Sequence, residues 1–274
     1  MKLPENVAQK KINTRIEALY LQDQEPDWST LLPFIEGDPT APLKSDNSRQ
    51  IFKIQHRDQS CHLKRYTSHR SQRWQERLNS RLPFSTPFAK KEFINATHLL
   101  NRGFNPVRPI ATLSWSPTKF SHNSLIVTRT AHGQRLDKVI EEQETIEDLL
   151  PLAEKVLADL KDMYKKNISF GATQPRNIFL TPSGKLTWID FELTKVDKTF
   201  TTGRHTDLRR FIYRFYKDSP DYIKDNPEYL PRLLSTVTNY FPLSLPFRFL
   251  MAIALPLRHK NFHFRQIFKN LKKS

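Results

Sequence analysis

Asn177 and Asp190 flank a short segment, Asn177-Ile-Phe-Leu180 and Lys185-Leu-Thr-Trp-Ile189 around a Pro-Ser-Gly turn, that reads as a hairpin. An amide oxygen and a carboxylate at the two ends of such a hairpin can converge on one divalent cation, because a hard cation takes oxygen ligands. Taken singly, each residue has a plainer reading: an asparagine ending a turn and an aspartate closing a strand. The helix and hairpin around them favour the metal-binding reading over the plainer one.

The elements that must position these residues can be read from periodicity. Ile146 to Tyr164 places Ile146, Leu149, Leu150, Ala153, Val156, Leu157, Leu160 and Met163 at helical spacing, a buried stripe just ahead of the hairpin. Upstream, the alternating runs Ile51–His56 and Cys61–Tyr66 read as an antiparallel strand pair. Thr86-Pro87 offers a helix start, Phe93, Ala96, Leu99 and Leu100 an apolar side, and Gly103 a stop. Pro109–Trp115 and Ser124–Thr130 suggest two further strands, and the pattern is helical again from about His205. Residues 5 to 22 place Val7, Ile12, Ile16, Leu19 and Tyr20 near helical spacing, which predicts an N-terminal helix. A sheet-rich first half and a helical second half change over near Ala131-His-Gly-Gln.

The segment Phe170-Gly-Ala-Thr-Gln-Pro-Arg-Asn177-Ile-Phe-Leu, followed by Trp188-Ile-Asp190-Phe-Glu192, resembles the catalytic loop and metal-binding strand of the protein-kinase-like superfamily. The closer resemblance is to the bacterial lipopolysaccharide core kinases that phosphorylate Kdo or heptose, with their Gly-x-x-x-Pro-x-Asn-Ile loops and Ile-Asp-Phe endings. Antibiotic phosphotransferases share part of the pattern. The resemblance covers roughly residues 45 to 217 and implies an α+β, two-lobed protein-kinase-like fold. On it, residues 1–44 are an N-terminal helical extension, 45–130 a small sheet-rich N-lobe, and 131–274 a helical C-lobe.

The same resemblance implies roles. Lys64, on the second strand, would contact the phosphates of ATP and pair with Glu92 on the next helix, with Lys53, Arg65 and Lys90 as nearby competitors. Asn177 and Asp190 would hold Mg2+. Asp207 resembles the helix aspartate that braces the catalytic loop from beneath. The reaction implied is transfer of the γ-phosphate of ATP to a sugar hydroxyl.

Two departures bear on that reaction. The family's proton-accepting aspartate falls at Ala172 and the preceding histidine at Phe170, and neither replacement can handle a proton. Glu192, two residues beyond Asp190, is a candidate substitute carboxylate. No glycine lies between Lys44 and Lys64, so the close backbone approach of a glycine-rich phosphate loop is missing. A catalytically impaired pseudokinase that binds nucleotide or glycan and regulates a partner enzyme is therefore an alternative to an active sugar kinase.

Charge and composition bound the partners. Lysine and arginine number 44 against 28 acids, a formal charge of +16, which favours anionic partners such as phosphorylated sugars, an anionic leaflet or nucleic acid. Arg65 to Arg81, with Tyr66 and Trp74, resembles a phosphate-tracking surface, but no nucleic-acid-binding motif accompanies it. The tail from Pro246, with Phe262, Phe264, Ile267, Phe268 and Leu271 among cations, suits either a membrane interface or docking on the C-lobe. One cysteine, Cys61, precludes an intrachain disulfide, and no apolar run is long enough to span a bilayer. The resemblance places the chain at the cytoplasmic side of an inner membrane, peripherally bound, with the lipopolysaccharide core or a lipid A-linked glycan as partner.

Overall fold

The computed structural model describes residues 3–37, 39–45, 49–67, 86–118, 121–197 and 201–242. The arginine-rich stretch after Thr67 and the tail from Pro246 lie outside the described residues. The chain forms two units: Met1–Ala131 with Ile189–Glu192, and His132–Trp188 with Leu193–Ser274.

The first unit is built on a seven-stranded sheet. Its elements are β1 (Val7–Lys11), β2 (Ile16–Leu21), the short helices α1 (Trp28–Leu31) and α2 (Pro33–Glu36), β3 (Lys44–Ser45), β4 (Arg49–His56), β5 (Gln59–Tyr66), helix α3 (Phe88–Asn101), β6 (Pro109–Thr118) and β7 (Ser121–Arg129). Strand order is β1-β2-β6-β7-β5-β4-β3, and every neighbouring pair is antiparallel.

Residues 5 to 22 do not form the expected helix. They fold as β1 and β2, joined by a turn in which Asn13 Oδ1 accepts hydrogen bonds from the backbone N–H of Arg15 (2.8 Å) and Ile16 (3.0 Å). The physical reason is burial on both faces of β2. Ala18 enters one core while Leu19 and Leu21 enter the other, so the alternation that marks a half-exposed strand is erased. The backbone of Ile16–Tyr20 pairs with Trp115–Ala111, which outweighs local helical spacing.

Each face of the sheet has its own core. Phe34 from α2 packs with Phe52, Leu63, Leu113 and Val127 on one face. Ala89, Phe93 and Ile94 from α3 pack with Leu19 and Ile126 on the other. Because directly opposed residues share a face, the pairs Arg49↔Tyr66 and Ile51↔Lys64 lie on the α3 face, and Gln50↔Arg65 and Phe52↔Leu63 on the α1–α2 face. Helix α3 begins one residue after Pro87, so Thr86 is not its cap, and it ends at Arg102 before Gly103 (φ +80°), a conformation that suits glycine.

The second unit is mainly helical. It contains β8 (Gln134–Arg135), α4 (Leu136–Glu141), α5 (Ile146–Lys165), β9 (Ile168–Ser169), a 3₁₀ turn at Pro175–Asn177, β10 (Ile178–Leu180), β11 (Leu186–Trp188), β12 (Lys195–Val196), α6 (Thr201–Asp218), α7 (Asp221–Lys224) and α8 (Tyr229–Tyr240). Helix α5 buries the stripe read from its sequence except Leu150, with Leu152 buried instead, and is capped by Thr145, whose hydroxyl accepts from the Asp148 N–H. The hairpin pairs Ile178 with Trp188 and Leu180 with Leu186. Among the described residues, no helix is long and apolar enough to cross a membrane.

Candidate nucleotide and phosphotransfer site

In the sheet unit, strand β5 and helix α3 bring a cation and two carboxylates together. Lys64 Nζ lies 2.7 Å from Glu92 Oε1 and 3.2 Å from Asp190 Oδ1. Tyr66, two residues along the same face of β5, donates its hydroxyl to Glu92 Oε2 at 2.8 Å. Both Glu92 oxygens are thus occupied, and the side chain is 1% exposed. A carboxylate this deep is tolerated because it is both paired and hydrogen-bonded.

Arg49, which opens β4, contributes a second cation. Its Nη1 is 3.7 Å from the same Asp190 Oδ1. Asp190 sits at φ +72°, in the left-handed region that aspartate tolerates better than most residues. The next residue is fixed as well: Phe191 is fully buried and its carbonyl accepts from Asn95 Nδ2 of α3 at 2.9 Å. Helix α3 therefore supplies both the partner of Lys64 and the clamp on the backbone carrying Asp190.

Burial opposes the charge on Lys64, yet the Glu92 and Asp190 carboxylates outweigh it and hold the ammonium above the ordinary lysine range. Burial, followed by Glu92, pushes the Tyr66 phenol well up, keeping it a donor. Glu192 is raised to about 7, chiefly by burial and then by Asp190 and Glu92. The geometry separates Lys64 from its competitors. Lys53 is exposed and Lys90 pairs with Glu17 at 3.1 Å. Arg65 turns to the opposite face, where its guanidinium meets Gln50 and the carbonyls of Phe34 and Gly37. Arg65 and Tyr66 are thereby interior residues and do not belong to the basic surface expected of them.

In the helical unit, Asp207 on α6 organises the loop that follows β9. It is fully buried, with Oδ1 accepting from the Gly171 N–H (2.6 Å) and Thr173 Oγ1 (2.8 Å) and Oδ2 from Ser169 Oγ (2.8 Å). Gly171 has φ +80°, and a Cβ there would stand 2.4 Å from the Leu193 carbonyl oxygen, so only glycine fits. Asn177 donates from Nδ2 to the Ala172 carbonyl at 2.9 Å, tying the two ends of the loop. Phe170 is fully buried, its ring 4.8 Å from that of Trp188 in an edge-to-face contact. At position 170 the chain therefore carries a packing residue. Ala172 is 4% exposed and offers no proton acceptor.

Arg49, Tyr66 and Asn95 were not singled out as site residues by the sequence. Alternation along β4 and β5 places Arg49 and Tyr66 on the Lys64 face once the strand register is known, but residues this far apart announce no register.

A lysine–glutamate pair between a strand and the next helix, an aspartate after a hairpin, and a loop braced from beneath define a kinase-like protein. The sequence profile of the lipopolysaccharide kinase (Kdo/WaaP) family matches residues 35–230, and the chain belongs to that family. No curated protein sequence matches it. Among solved structures, the chain is similar to two of WbdD, one described as a bifunctional kinase-methyltransferase. Both are 14% identical with a TM-score of 0.44, and the alignments cover 76% and 77% of this chain and 47% and 49% of the other. The chain thus spans about half the length of those proteins.

Proposed function

We propose that the chain binds ATP with Mg2+ through Lys64, Glu92 and Asp190, with Asn177 assigned to the metal on the family's pattern, and that it is a catalytically impaired member of the lipopolysaccharide kinase family. The observation that carries the binding half is the buried Lys64 cation held between Glu92 and Asp190. These groups fit a magnesium nucleotide: the lysine suits phosphate oxygens, and Asp190, one-fifth exposed, offers a hard carboxylate oxygen. Bound magnesium ATP supplies the transferable phosphoryl group and neutralises its charge. Arg49 then meets phosphate charge with a side chain, where a glycine-rich loop would have used backbone N–H groups.

The impairment rests on Ala172. Loss of a positioned proton acceptor lowers a transfer rate by about 10²–10⁴-fold, leaving what positioning and electrostatics provide. The chain then serves as a binder of nucleotide and of a Kdo- or heptose-region glycan, regulating an envelope-biosynthesis partner at the cytoplasmic face of the inner membrane.

A second reading, slow phosphorylation of a core sugar hydroxyl, is favoured by Glu192. It is a carboxyl two residues beyond Asp190, and burial, followed by Asp190 and Glu92, raises its proton affinity. Calorimetric titration with ATP, with and without magnesium, tests the proposal. Magnesium-dependent binding lost in Asp190→Ala supports it, and no binding by the wild type sinks it. Phosphate transfer to purified core glycolipid that Glu192→Gln abolishes would move the conclusion to the second reading.

A further inference from the structure

A cavity of about 140 Å³ opens in the sheet unit at the turn between β4 and β5, lined by Gln24, His56, Arg57, Gln59, Ile110 and Arg129. Register places it away from the nucleotide residues. His56 continues the series Gln50, Phe52, Ile54, which faces the α1–α2 core, whereas Arg49, Lys64 and Tyr66 lie on the α3 face.

Its lining is cationic and partly unsatisfied. Two guanidinium groups and an imidazole line it, and no carboxylate does. Glu25 accepts from Lys10 Nζ (2.6 Å) and Trp28 Nε1 (3.0 Å), Asp27 caps α1 through the Ser29 N–H (3.0 Å), and the two carboxylates act on Arg57 and His56 by charge from outside the lining. His56 is 4% exposed, and its Nδ1 has no hydrogen-bond partner. The buried Nε of Arg129 has none either, and both residues line the cavity. An unsatisfied buried polar atom is costly. Burial and then the Arg57 charge hold the His56 ring below the ordinary histidine range against the opposing Asp27 carboxylate, so the arginines supply the charge.

Size narrows the ligand. The cavity is well under the roughly 300–1,000 Å³ of sites that enclose drug-sized ligands, which leaves room for one compact anionic group. Paired arginines match the oxygens of a tetrahedral dianion. We propose that this cavity binds a phosphate group, free or as the monoester of a sugar, through Arg57, Arg129 and His56. The β4–β5 hairpin then carries an anion contact at its turn and the nucleotide contacts Arg49 and Lys64 towards its open end.

The test is calorimetric titration of the full chain with inorganic phosphate and with glucose 1-phosphate, each with and without magnesium ADP. The ¹⁵N resonances of the His56 ring are followed in parallel. Wild-type binding that shifts His56, survives saturating magnesium ADP, and weakens about tenfold or more in Arg57→Asn and Arg129→Gln supports the site. Asparagine is chosen at Arg57 because that residue sits at φ +47°, a conformation asparagine adopts readily. Tighter binding of the sugar phosphate points to a phosphorylated glycan as the source, and equal binding to free phosphate. No phosphate binding by the wild type, binding unchanged in both arginine variants, or binding competed away by magnesium ADP overturns the proposal.

Discussion

Lys64 Nζ lies 2.7 Å from Glu92 Oε1, and Tyr66 donates to the other oxygen of the same carboxylate at 2.8 Å, so strand β5 grips helix α3 through both oxygens of one side chain. Removing either member of a buried pair leaves the other uncompensated, at a cost of about 3–5 kcal/mol. Lys64→Met should lower unfolding free energy by that order in urea denaturation and abolish nucleotide binding. The double variant Lys64→Met/Glu92→Leu should be destabilised less than the two single variants combined, because neither member of the pair is left as an orphan charge and Asp190 keeps Arg49 at 3.7 Å. Additive losses would show that the pair is not coupled.

Arg49 offers a separate handle on the phosphates. Arg49→Gln should weaken ATP binding about tenfold, the scale of one charge-assisted hydrogen bond, while leaving adenosine binding unchanged. Equal loss for ATP and adenosine would show that the arginine supports the fold and does not meet phosphate.

On the proposed reading, Ala172 replaces a proton acceptor. Ala172→Asp should raise phosphate transfer to a core glycolipid by about 10²–10⁴-fold if the remaining groups are in place. An inert variant that still binds magnesium ATP would show that the impairment extends beyond this position.

Glu192 gives a pH signature. In the folded chain it holds its proton up to about 7, whereas an unfolded glutamate releases it near ~4.3. Between those values the folded state binds the extra proton. Its contribution to stability is therefore fully present below ~4.3 and is lost as pH rises through about 7. Unfolding free energy measured from pH 4 to 8 should fall for this reason, and Glu192→Gln should flatten that part of the profile.

Gly171 tests the loop. At φ +80°, with a Cβ placed 2.4 Å from the Leu193 carbonyl oxygen, Gly171→Ala must displace backbone and should cost about 1–3 kcal/mol or more. A thermal midpoint unchanged from the wild type would show that the loop relaxes freely.

The legibility of these features differs for physical reasons. The stripe of α5 and the hairpin after it were visible because each is stabilised by its own periodicity and turn chemistry. The strands of residues 7–21 were not, because β2 is buried on both faces and its spacing imitates a helix. Arg65 and Tyr66 looked like one basic, aromatic surface, although adjacent strand residues point to opposite faces and both are interior.

By itself, the sequence determined which residue types are available: the asparagine, the aspartate, the strand lysine, the helix glutamate, and the alanine where a base would stand. Tertiary structure decided which lysine pairs with Glu92, that Arg49 joins the same carboxylate, and that His56, Arg57 and Arg129 share one cavity. Motif identity is local along the chain, whereas strand register and burial follow from backbone pairing between residues far apart in sequence.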